Sequence, residues 1–207
     1  MESVVVAHGL WMPGWETAVL RRRLAHAGFA PCLFRFPSVG ETLGANSERL
    51  ARFAAKVPGE FVHFVGYSLG GVVTLTMLEA QPPARPGRVV CLGSPLNGSC
   101  AGRRLAALPG GARVLGRSMY ELNEQGGVRP WTARRDLGII AGNVALGLGR
   151  LLDALRGPSD GTVAVEETML EGAAAHLVLP VSHTSMLFSP TVAAQTVHFL
   201  RNGRFRR

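Results

Sequence analysis

Lysine is almost missing from this 207-residue chain: Lys56 is the only one among 22 basic residues, and arginine supplies the rest. Aspartate is scarce too, standing only at Asp136, Asp153 and Asp160. Cysteine occurs three times, at Cys32, Cys91 and Cys100. With an odd count and no metal-ligand spacing, no disulfide framework is expected and no zinc pattern is offered. Cys32 and Cys91 fall in apolar strand candidates and read as buried thiols. No apolar run approaches the ~20 residues that a membrane-spanning helix needs. Met1-Glu2-Ser3 leads straight into Val4-Val5-Val6, with no basic leader and no small-residue cleavage site, so a cytoplasmic location is expected.

What is present describes a packed core: 47% of the residues are hydrophobic and only 17% charged. The net charge is +8. An excess of that size suits either nucleic acid or an anionic membrane surface. The arginines are scattered, apart from Arg21-Arg22-Arg23, Arg103-Arg104, Arg134-Arg135 and the tail Arg204-Phe205-Arg206-Arg207, and no nucleic-acid motif accompanies them. We therefore expect a solvated arginine-rich surface and no nucleic-acid partner, with contact to a membrane surface through basic residues left open.

Strand and helix candidates alternate along the chain. Strands are expected at Val4 to Ala7, Ala30 to Phe36, Phe61 to Tyr67, Arg88 to Leu92, Asp136 to Ala141 and His176 to Val181. Helices are expected at Trp15 to Ala27, Leu43 to Lys56, after Ser68 as far as Pro82-Pro83, at Ala145 to Leu155 and at Thr191 to Leu200. Ser99 to Arg117 is loosely helical, and Ser118 to Gln125 adds a further helical turn. This pattern predicts a three-layer α/β/α sandwich around a mostly parallel sheet of about six strands. No linker divides it, so residues 1–207 read as one domain, with a small lid or cap segment within 99–157. In such sheets sites form beyond the carboxyl ends of the strands. His8, Ser68, Ser94, Gly142 and His183 all fall just past expected strand ends.

The stretch Phe61 to Leu78 carries the chemistry. A Val- and Phe-rich strand runs into Gly66-Tyr67-Ser68-Leu69-Gly70-Gly71 and then into an apolar helix. A strand, Gly-x-Ser-x-Gly and a helix make a nucleophile elbow, whose tight bend leaves no room for a Cβ on either flanking glycine. A serine hydroxyl is a poor nucleophile unless a base takes its proton, and a carboxylate behind an imidazole fixes the tautomer. His183, in the polar loop Ser182-His183-Thr184-Ser185 after the last strand, is the candidate base. His176 opens a strand and His198 lies in a helix. Asp160, in the turn Ser159-Asp160-Gly161, is the candidate acid, with Glu166 and Glu167 in reserve. Asp136 lies at the wrong end of its strand, and Asp153 lies in a helix. Backbone N–H groups of Leu69 and Leu10 are the candidate oxyanion donors, with Gly9 allowing close approach and His8 shaping that loop.

On these residues the chain resembles the α/β-hydrolases, and among them small lipase- or esterase-like serine hydrolases. The matching segments are His8-Gly9-Leu10, Gly66 to Gly71, Gly93 to Ser99, Asp160-Gly161-Thr162-Val163 and Ser182-His183. The resemblance implies hydrolysis of carboxylic esters through an acyl-enzyme on Ser68, with no cofactor and no metal. It departs from the family in lacking the leading antiparallel strands and a large cap. Trp11, Met12, Tyr67, Leu96 and Met186 are the candidate pocket residues, and Trp15, Met119, Leu146, Leu148 and Leu151 also lie in or near the covering loops. An apolar pocket suits a small-molecule or lipid ester. A thioesterase acting on acyl-CoA or acyl-carrier substrates, and a non-catalytic binding module of the same fold, are the alternatives.

Overall fold

The computed structural model describes residues 1–146, 155 and 157–206. Six strands form one sheet: β1 (Glu2–Ala7), β2 (Ala30–Phe34), β3 (Phe61–Tyr67), β4 (Val89–Leu92), β5 (Leu137–Gly142) and β6 (Ala175–Leu179). Their spatial order is β2-β1-β3-β4-β5-β6. Every neighbouring pair is parallel. The central strands are buried on both faces, as their unbroken apolar runs require.

Side chains of β1 alternate between two cores. Val4 and Val6 face one layer, with Leu20 and Leu24 of α1 (Ala18–His26) and Val192, Phe199 and Leu200 of the last helix, α8 (Pro190–Asn202). Val5 and Ala7 face the other, with Leu50 and Ala54 of α2 (Leu43–Lys56) and Val72 and Leu75 of α3 (Leu69–Ala80). The result is the three-layer sandwich expected from the sequence.

Local chemistry sets most boundaries. Thr42 caps α2 by accepting from the Ala45 N–H at 3.1 Å, and Pro58-Gly59 follows its end. Ser189 caps α8, Pro190 occupies its first turn, and Gly203 closes it at φ 69°. Three expectations need correction. Strand β2 ends at Phe34 and not at Phe36. The first helix begins as a single 3-10 turn, Trp15–Thr17, before α1 proper. The last strand stops at Leu179 instead of Val181, because Pro180 has no N–H to continue the ladder.

The segment expected to be loosely helical is three short helices, α4 (Cys100–Ala106), α5 (Gly111–Leu115) and α6 (Arg117–Glu124). Gly110 and Gly116, at φ 74° and 82°, separate them. They stand over the carboxyl end of the sheet. Within the expected helix Ala145 to Leu155, residues 147–154 lie outside the described residues, and with them Leu148, Leu151 and Asp153. No helix among the described residues is long and apolar enough to cross a membrane.

Candidate active site

The bend after β3 holds Ser68 at φ 52° and ψ −123°, a region that costs a non-glycine residue about 1–3 kcal/mol. Its N–H donates to the Leu92 carbonyl at 2.9 Å, so β4 fixes the approach of the chain. The flanking glycines are explained by contact. A Cβ on Gly66 would stand 2.3 Å from the Cα of Gly71, and one on Gly70 would stand 2.4 Å from the carbonyl oxygen of Ala7. The first contact keeps the bend tight; the second presses it against the end of β1.

Across the sheet, His183 opens the short helix α7 (His183–Met186). Ser182 caps that helix in a reciprocal capping box with Ser185. His183 is tied twice to Asp160: its backbone N–H donates to the Asp160 carbonyl at 2.9 Å, and its Nδ1 meets Asp160 Oδ2 at 2.6 Å. The other carboxylate oxygen, Oδ1, accepts the N–H groups of Thr162 at 2.9 Å and Val163 at 2.7 Å. Asp160 is 1% exposed, so its oxygens are satisfied by these donors and not by bulk water. A carboxylate only accepts, so Nδ1 carries the proton, and the lone pair of a neutral His183 sits on Nε2.

Two further groups hold this pair. Gly93, at φ 54°, packs so closely that a Cβ there would lie 3.0 Å from Asp160 Oδ2 and 3.1 Å from His183 Nδ1. Tyr67 is buried beneath the imidazole, with ring centroids 4.9 Å apart, and its hydroxyl donates to the His183 carbonyl at 3.1 Å. Burial, then the nearby charge of Asp160, pushes this phenol well above its ordinary range, so it stays protonated and donating.

The loop after β1 is braced by His8. Its Nδ1 donates to the Gly9 carbonyl at 2.8 Å, leaving Nε2 to accept the Phe36 N–H at 3.2 Å. Burial lowers the imidazole below its usual pKa and keeps it neutral. Among the described residues, the N–H groups of Leu10 and Leu69 and the hydroxyl of Ser68 have no hydrogen-bond partner.

Ser68 and His183 face one cavity of about 470 Å³. Leu10, Trp11, Met12 and Tyr67 line it, and so does Met119 from α6. Leu96 and Met186 do not: both are fully buried, one in each core. Trp15 and Leu146 are largely exposed. The sequence reading missed most of the roof, which is Ala101, Gly102 and Leu105 of α4 with Val114 and Leu115 of α5. Among the described residues, no Asp, Glu, Lys or Arg lines the cavity.

It also missed the task of Glu167. This buried carboxylate accepts from the Cys100 N–H at the start of α4 and from the Ala164 N–H at 2.9 Å, tying the roof to the Asp160 loop. The other histidines that follow Ser68 are engaged elsewhere: His176 contacts the Thr168 hydroxyl at 2.8 Å, and His198 meets Asn202 and Arg206 on the surface of α8. Asp136 pairs with Arg88 at 2.9 Å, at the far end of the sheet. Among the described residues, no three His, Cys, Asp or Glu side chains converge as metal ligands would.

A model of the alpha/beta hydrolase family matches residues 4–196. The mature form of a Bacillus licheniformis lipase superposes with a TM-score of 0.77 at 18% identity, over 99% of this chain and 92% of that one. A metagenomic carboxyl esterase gives a TM-score of 0.71 at 19% identity, over 89% and 65%. A Bacillus anthracis bromoperoxidase gives 0.60 at 12%, over 97% and 92%. At such identities the likeness speaks for the fold. No curated protein sequence matches the chain.

Proposed function

The chain belongs to the alpha/beta hydrolase family, and from that premise we propose that it is a serine hydrolase cleaving carboxylic esters, with Ser68, His183 and Asp160 as its catalytic residues. The observation that carries the reading is the buried Asp160–His183 pair at 2.6 Å, with both carboxylate oxygens of Asp160 hydrogen-bonded, on the cavity that Ser68 enters.

The chemistry follows from the atoms. An ester carbonyl in the cavity is attacked by Ser68 Oγ, whose proton passes to His183 Nε2. Asp160 stabilises the imidazolium that forms. The oxygen that becomes negative is received by the Leu10 and Leu69 amides, whose lack of other partners supports this role. His183 returns the proton to the departing alcohol. A water, deprotonated by the same nitrogen, then releases the acid from Ser68. Tyr67 and Gly93 act through His183: one anchors its backbone, the other excludes any atom that would part it from Asp160.

The lining supports an uncharged acyl group as what the cavity accommodates. Residues 1–207 are read as one hydrolase unit, with α4 to α6 as a small cap. A fluorophosphonate probe tests the nucleophile. It is expected to label Ser68 in the folded protein, and Ser68→Ala is expected to abolish both labelling and p-nitrophenyl ester hydrolysis by several orders of magnitude while melting like the parent. Labelling elsewhere, or undiminished hydrolysis in Ser68→Ala, removes the assignment. Acyl-CoA turnover faster than ester turnover by orders of magnitude would move the substrate class to thioesters.

A further inference from the structure

We propose that the outer face of α4 and α5 docks on the surface of anionic phospholipid. The inner face of these helices roofs the cavity through Leu105, Val114 and Leu115. The outer side is basic throughout. Between Ser99 and Arg117 there are four arginines, Arg103, Arg104, Arg113 and Arg117, and no acid. All four are exposed, and among the described residues none is in an ion pair. The acids around these helices do not neutralise that side: Glu167 is buried and accepts the Cys100 and Ala164 N–H groups, Glu121 accepts from the Leu43 N–H, and Glu124 is exposed on α6.

Charge alone would also suit nucleic acid. What favours lipid is the apolar surface set among these arginines. Leu108, in the turn between α4 and α5, is 50% exposed, and Val114 is 53% exposed. Trp11 is 47% exposed, and its indole N–H donates to the Val114 carbonyl at 2.7 Å, which fixes the ring beside α5. Basic side chains around protruding Leu, Val and Trp match a headgroup layer above acyl chains. The same Trp11 and Val114 line the cavity, so lipid bound here lies next to its opening. Docking does not depend on catalysis and is measured on Ser68→Ala as well as on the parent.

The test is flotation with vesicles of phosphatidylcholine containing phosphatidylglycerol, or of phosphatidylcholine alone. Binding is expected only with phosphatidylglycerol, and it weakens as salt rises. The triple variant Leu108→Ser/Arg104→Glu/Arg113→Glu touches no cavity residue. It is expected to keep hydrolysis of a soluble short-chain ester and to lose vesicle binding roughly tenfold or more. Arg22→Glu/Arg204→Glu makes the same charge change on the α1 and α8 side, and is expected to lose far less. Equal loss in the two variants, equal binding to neutral vesicles, or no binding at low salt overturns the proposal. So does duplex DNA bound more tightly than vesicles with the same dependence on Arg104 and Arg113.

Discussion

The two ends of the sheet use buried polar groups in opposite ways. At the amino ends of the strands, cations staple the chain. Arg85 donates to the carbonyls of Ala54 and Val57, and Arg135 donates to those of Val62 and Arg85 while lying 5.4 Å over the Phe64 ring. Burial, with the charge of Arg85 second, lowers Arg135 to about 10, which leaves it charged at neutral pH. Arg88 bridges Asp136 and the Leu200 carbonyl. At the carboxyl ends there are two buried carboxylates, Asp160 and Glu167, and beside Asp160 a hydroxyl and two amides with nothing to bond among the described residues. One end is braced by these cations and serves stability. The other is strained at Ser68 and incompletely paired, which on the proposed function is how a site kept ready for a substrate differs from a brace.

Matched substitutions at the two ends probe this contrast. The largest effect is expected from the two aspartates. Asp160→Asn should lower kcat by about 10⁴-fold, because an amide holds the wrong tautomer of His183. Asp136→Asn should leave kcat unchanged and cost at most ~1 kcal/mol in urea melts, since its partner Arg88 is partly exposed. Comparable loss of activity in both variants would erase the distinction.

Next come the glycines. Gly93→Ala should reduce kcat up to ~100-fold with little change in KM, since its Cβ parts Asp160 from His183. Gly203→Ala meets only the Asp136 and Arg88 side chains and should show its cost, about 1 kcal/mol, in stability alone.

The smallest effect concerns His63, buried at the amino end of β3 with Nδ1 accepting the Arg88 N–H at 3.0 Å. Burial lowers it to about 4, outweighing Glu2 across 3.5 Å. Unfolded imidazole takes a proton near pH 6.5, so between pH 4 and 6.5 the unfolded state binds more protons and stability rises with pH. His8 and His176 act in the same direction, so the measurement is a difference. The urea midpoint of His63→Gln should fall less than that of the parent on acidification from pH 6.5 to 4. Identical slopes would place the acid sensitivity elsewhere.

These contrasts also explain what could be read beforehand. The elbow was legible because its requirement is steric and local: two glycines at fixed offsets from a serine, between a strand and a helix. Asp160 and His183 were legible because strand ends meet in this kind of sheet, and each stood in a polar turn beyond one. The pocket was only half legible. An apolar residue just after a strand looks alike whether it faces a cavity, as Met12 does, or a core, as Leu96 and Met186 do. Gly93 read as part of a Gly-Ser-Pro turn, and nothing in its neighbours announced contacts with residues far along the chain. The roof was blurred because Gly110 and Gly116 cut it into pieces too short to show a period.

The strand order sets a schedule. Ser68 leaves β3 near the middle of the sheet, whereas His183 follows β6, an edge strand that pairs only with β5. A nascent polypeptide carrying β1 to β4 already holds the pieces of the bend, yet it lacks His183 to awaken the alcohol. On the proposed chemistry, the enzyme emerging from a ribosome stays inert until its final quarter has been synthesised and docked, and hydrolysis regained after denaturation is among the last signals to return.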